Sequence, residues 1–75
     1  VKNYLKFEFK SNSPSGKTKI WEVWGGGHVL GEIRWHPGWR KYGFFPAPNT
    51  LFEEDCLFEI ATVLKAETTF HKEGV

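Results

Sequence analysis

The chain has a single cysteine, Cys56, so no disulfide framework can staple it and the fold must stand without covalent support. It has no apolar run near the ~18 residues of a membrane span. No basic-then-apolar leader precedes the first strand-like segment, and no export signal is expected. At 75 residues it lacks the length for a second core, so one domain over residues 1–75 is expected. The single cysteine fits a reducing compartment, so the expected location is cytoplasmic, and with no apolar span no membrane partner is expected.

Rings are what the chain has in excess. Seven Phe, four Trp and two Tyr make up 17% of the sequence. Each ring removes ~150–250 Å² from water when buried, which lets a short chain close a core with few side chains. The formal net charge of +1 conceals a split. Residues 1–50 carry eight Lys/Arg against three Glu, and residues 51–75 carry two Lys against six acids. Such asymmetry marks a polyanion-binding or acidic interaction face, or simply acids placed where a helix favours them.

Alternation dominates the first two thirds. In residues 4–10, Leu5, Phe7 and Phe9 share one face and Tyr4, Lys6, Glu8 and Lys10 the other, the period of a half-buried strand. Ser11 to Gly16 is a polar breaker run, read as a loop. A second strand is predicted over 19–24 with Trp21 and Val23 on one face. Gly25-Gly26-Gly27 supplies a tight turn. A third strand over 28–36 puts Val29, Gly31, Ile33 and Trp35 on one side and Leu30, Glu32, Arg34 and His36 on the other. His36-Pro37-Gly38-Trp39 reads as a type II turn. The fourth strand spans 40–45, where Phe44 and Phe45 point to opposite faces and only one can meet the core. Pro46 and Pro48 then end the pairing.

After the prolines the rhythm changes. Thr50 to Glu53 matches a capping box, with Glu53, Glu54 and Asp55 in a first turn that favours negative charge. Phe52, Cys56, Leu57, Ile60, Ala61 and Leu64 recur at three- and four-residue spacing, one apolar stripe. A helix is predicted over 51–66, with a frayed tail over 67–75. The expected fold class is α+β: a four-stranded antiparallel meander (ββββα) with one C-terminal amphipathic helix on one face. Its sheet core would be Leu5, Phe7, Phe9, Trp21, Val23, Val29, Ile33 and Trp35.

Lys17-Thr-Lys-Ile-Trp-Glu-Val23, Leu30-Gly-Glu-Ile-Arg-Trp35, Trp39-Arg-Lys-Tyr-Gly-Phe-Phe-Pro46 and Cys56-Leu57 with Ile60 form an ordered series. It resembles the K-T-x-x-W-x-V, L-G-x-I-x-W, W-R-x-Y-x-F-x-P, C-L-x-x-I pattern of a family of small bacterial proteins carried on mobile DNA, in integron gene cassettes and prophages. The resemblance covers roughly residues 17–64. The family has no established biochemical role, so the resemblance implies an accessory, mobile-element-borne protein rather than a housekeeping enzyme.

Catalytic chemistry has little to stand on. Ser15-Gly-Lys-Thr18 ends like a phosphate-binding loop, but Ser11 occupies the first glycine's place and a strand follows where a helix is needed. Cys56 falls on the apolar stripe beside acids, which opposes thiolate formation. His28 and His36 stand eight residues apart on one strand, roughly 26 Å, too far to share a metal. Glu22 and Glu32, facing each other across the second and third strands, are the candidate paired carboxylates, yet Arg34 and Lys6 or Lys19 nearby point to cross-strand ion pairs. No catalytic residue, metal site or cofactor is expected, and the protein is read as a non-enzyme.

Arg34, His36, Arg40, Lys41 and Tyr42 gather around the third hairpin with Trp39 at its tip, and Trp24 joins them as a candidate contact residue. Arginine interleaved with rings suits protein hot spots and also base stacking with phosphate neutralisation. The expected partner is a second copy of the chain or a host protein, with nucleic acid as the alternative.

Overall fold

The computed structural model describes residues 5–73. Four strands, β1 (Leu5–Asn12), β2 (Lys19–Gly25), β3 (His28–His36) and β4 (Lys41–Pro46), form one antiparallel sheet in the order β1-β2-β3-β4. One helix, α1 (Glu54–Glu73), follows. The expected ββββα layering is therefore present. The predicted strand start at Tyr4 and the tail's last two residues, 74 and 75, lie outside the described residues.

The core forms where the sheet's inner face meets the helix. Val23 and Ile33, on the two central strands, are fully buried, and Leu5, Tyr42 and Ile60 complete the buried cluster. Phe7, Trp21, Trp35, Phe44, Phe52, Cys56, Val63 and Leu64 pack around it. Phe44 is the ring that turns inward, meeting Phe52 edge to face at 5.2 Å. Phe45 takes the outer face opposite Glu32.

Two β-bulges break the simple alternation. In β1 the extra residue is Lys10, because Phe9 pairs with Trp21 and Ser11 with Ile20. In β3 it is Leu30, because Val23 pairs with Gly31 and Trp24 with Val29. An extra residue reverses which face the following side chains take. Leu30 thus packs against the core in place of the predicted Val29, which is exposed.

The turns divide. Gly26 and Gly27 both have positive φ, 59° and 81°, the requirement of a two-residue type I′ hairpin. The β3–β4 connection is not the predicted type II turn. The left-handed residue is Arg40 at φ 54°, not Gly38. Its N–H donates to the His36 carbonyl at 2.8 Å, closing a four-residue loop over Pro37 to Arg40.

The helix begins later and ends later than its apolar spacing predicts. Asn49 adopts φ 59° and Thr50 Oγ1 donates backward to the Ala47 carbonyl at 2.8 Å, so Thr50 is spent on the turn. Glu53 caps instead, its carboxylate accepting the Cys56 N–H at 2.7 Å. At the far end Thr68 Oγ1 accepts the Tyr42 N–H at 3.0 Å, and the His71 ring lies 4.5 Å from Trp35. These contacts hold the stretch read as a frayed tail in helical form. Val63 joins the buried stripe, whereas Leu57 and Ala61 face outward.

The helix crosses the sheet obliquely. Near its start Glu59 accepts the Leu5 N–H of β1 at 3.4 Å, and near its end Thr68 meets β4. A helix ~10–12 Å wide cannot cover four strands ~4.8 Å apart. The corner of β1 left beside its second half stays open: Phe9, predicted in the core, is 56% exposed.

Candidate functional site

Successive connections of an antiparallel meander leave from alternate ends. The β1–β2 and β3–β4 connections therefore share one end of the sheet, and the Gly26-Gly27 turn lies at the other. Tyr42 ties this shared end together. Its hydroxyl accepts the Lys19 N–H at 3.3 Å, its amide donates to Thr68, and its ring lies 6.3 Å from His71. Three segments distant in sequence thereby meet: the start of β2, the start of β4 and the last turn of α1.

The candidate contact residues separate into three groups. His36, Trp39, Arg40 and Lys41 sit together at the shared end. Trp39 is 72% exposed, and its indole stacks on the His36 imidazole at 4.3 Å with an interplanar angle of 23°. The Trp39 backbone N–H donates to His36 Nδ1 at 3.2 Å, which fixes the imidazole beneath the indole. Arg34 and Trp24 lie on the outer sheet face and are engaged there. Trp24 Nε1 donates to Glu22 at 3.3 Å. Tyr42 belongs to the core, buried between Trp21 and Trp35 at ring distances of 5.7 and 5.3 Å. It positions the hairpin and offers no outer surface.

The outer face is a self-neutralised lattice. Glu22 and Glu32 stand directly opposite one another, as the sequence suggested, but their chief partner is Lys10. Its ammonium lies 2.6 Å from Glu32 and 3.9 Å from Glu22, spanning two strands from the β1 bulge. Arg34 reaches the other Glu32 oxygen at 2.7 Å, and Lys6 pairs with Glu8 at 3.0 Å rather than with the central acids. The Lys10 hydrogen bond, aided by Arg34, holds the Glu32 carboxyl below the usual carboxylate range against partial desolvation.

The shared end is different. Lys17 in the first connection and Lys19 at the start of β2, Arg40 in the third connection and Lys41 at the start of β4, and Lys72 from the last helical turn are all exposed there. None of them forms an ion pair with a described residue within 4 Å. Glu67, half-buried on α1, forms no ion pair with any of them within 4 Å. The opposite end carries Glu53, Glu54 and Asp55 at the helix start. Lys17, Lys19 and Lys72 were missed by a reading confined to one hairpin. Counting strand parity would have found the first two. Lys72 was hidden by the underestimated helix.

Cys56 lies half-buried near the acidic end, close to Leu5, Leu30 and the Gly25-Gly26 backbone. A hydrogen bond to Glu53, with burial, pushes its thiol up, and the same bond holds the Glu53 carboxyl down. A thiol in this setting is a poor nucleophile. Among the described residues no three His, Cys, Asp or Glu side chains gather as metal ligands, and no helix is long and apolar enough to cross a membrane.

No protein-family model, curated protein or solved structure matches the chain. What the geometry defines is a small α+β protein: an open four-stranded antiparallel sheet backed by one helix. Its outer face is neutralised internally, and five cations without an ion pair to a described residue lie at the end that carries the exposed Trp39.

Proposed function

We propose that the protein is a non-enzymatic binding protein that works through contacts with other proteins, either a second copy of itself or a host protein. The observation that carries this reading is the outward side of α1. Phe58 and Phe70 are 75% and 68% exposed and bracket a shallow groove floored by Ala61, Thr62, Ala66 and Thr69. Large exposed rings beside small residues allow close approach of a partner's surface and bury area at low entropic cost. The resemblance to proteins of mobile DNA fits an accessory factor meeting host components. A lone thiol fits the cytoplasm, where we place it.

The test compares the wild-type chain with Phe58→Ser and Phe70→Ser. Both positions are exposed, so the fold is retained, which circular dichroism checks. Light scattering at rising concentration reads self-association, and affinity capture with mass spectrometry reads a host protein. Loss of a dimer or of one defined captured protein in both variants supports the reading. A monomer at all concentrations, with no captured protein that the variants lose, overturns it.

A further inference from the structure

We infer that the shared end of the sheet is a binding site for single-stranded nucleic acid, with Trp39 stacking on a base and Lys17, Lys19, Arg40, Lys41 and Lys72 neutralising phosphates. This site lies on a different surface from the outward side of α1 and stands or falls separately from the protein-contact reading. Three observations carry it.

The first is charge by position. Lys6, Lys10 and Arg34 are consumed by Glu8, Glu22 and Glu32 on the outer face. The five cations of the shared end come from three separate segments and are left to solvent by the described acids. Concentrating like charge costs stability, and a polyanion relieves that cost while releasing its own condensed counterions.

The second is the platform. Trp39 rests one face of its indole on the His36 imidazole, which is fixed by the Trp39 backbone N–H donating to Nδ1, while the Trp39 side chain stays 72% exposed. An aromatic ring fixed on one face and open on the other is what an unstacked base requires. Acidic side chains would satisfy the cations but carry no aromatic ring to stack on this one. A duplex keeps its bases stacked inward, away from a ring at the tip of a short loop.

The third is strain. Arg40, rather than a glycine, takes the left-handed conformation at φ 54° that closes the loop. A β-carbon there costs energy that glycine would avoid. Keeping a guanidinium at that position sets its charge next to the Trp39 platform.

Fluorescence anisotropy of a labelled oligothymidylate of about twelve nucleotides tests the site, at about 50 and about 200 mM salt. Binding that weakens steeply with salt is expected. Trp39→Ala should weaken it about tenfold or more. Lys17→Gln with Lys41→Gln should flatten the log–log salt slope by about 1.4, at ~0.7 per phosphate contact. Lys6→Gln, at a cation already paired with Glu8, should leave binding unchanged. No anisotropy change at the lower salt overturns the site, as does binding that ignores salt or is unmoved by Trp39→Ala. Equal affinity for the matching duplex overturns the single-strand assignment. Polyglutamate competing as well as the unlabelled oligonucleotide would make this an acidic-protein surface instead.

Discussion

The Tyr42 amide N–H donates to the Thr68 hydroxyl at 3.0 Å, fastening the second half of the helix to the edge strand β4. Edge-strand amides normally face solvent or a partner strand. Here a side chain from the layer above satisfies one of them, fourteen residues beyond the helix's first residue, Glu54. Thr68→Val keeps the shape and removes the acceptor, leaving a part-buried N–H unpaired. The expected loss is about 1–3 kcal/mol. Urea denaturation reads it, and hydrogen exchange at the Tyr42 amide should accelerate while the Val23 amide changes only with global stability.

Gly31 is required by its surroundings. A β-carbon built there would lie 2.5 Å from the Phe45 carbonyl oxygen and 2.8 Å from the Phe44 ring. Neither can retreat cheaply, because one is backbone and the other is packed against Phe52. Gly31→Ala should destabilise by about 3 kcal/mol, at the upper end of overpacking effects. A thermal midpoint unchanged from wild type would show that the β3–β4 spacing is wider than described.

Arg40→Gly should act in opposite directions on stability and binding. Relief of the left-handed backbone should stabilise the fold by about 1 kcal/mol, raising the thermal midpoint by several degrees for a chain of this size. Loss of the guanidinium should weaken oligonucleotide binding. Arg40→Ala keeps the strain and loses the charge, so the pair of variants separates the two effects.

Acid should loosen the sheet through Glu32. Its pKa in the folded protein is depressed, chiefly by the Lys10 hydrogen bond. A depressed carboxyl stabilises fully above its unfolded value, about 4.3, and that stability is lost as pH falls through the folded value. Urea midpoints taken from about pH 6 down to about pH 3 should fall for wild type. The fall should be shallower for Glu32→Gln, which has no proton to gain at this site. Equal slopes for the two would show that the Lys10–Glu32–Arg34 contact contributes nothing to folding.

The strand and helix rhythms were legible because they depend on local geometry. Phe7, Trp21, Val23, Ile33 and Trp35 fall inward at period two, and Cys56, Ile60 and Leu64 at three to four, in the sheet and helix alike. Leu30 was misassigned because a bulge is set by how two strands pair, which one strand's pattern does not record. Thr50 lost the cap because its hydroxyl was drawn to Ala47 once Asn49 turned left-handed. Phe9 was placed in the core on alternation alone, and the oblique path of the helix left its corner uncovered.

The candidate site was legible only in part. His36, Trp39, Arg40 and Lys41 are neighbours in sequence, so their grouping needed no fold. Tyr42 looked like their companion, and the alternation of β4 sent it into the core instead.

By itself the sequence determined the layered architecture, because side-chain periodicity is dictated by the 3.6- and 2-residue repeats of helix and strand. Only the tertiary structure decided which charges are neutralised and which are gathered. Coulombic partnership depends on distance through space: the meander brings Lys17 and Lys41 to one end, the docked helix brings Lys72 there, and the bulge at Lys10 delivers its cation to Glu32.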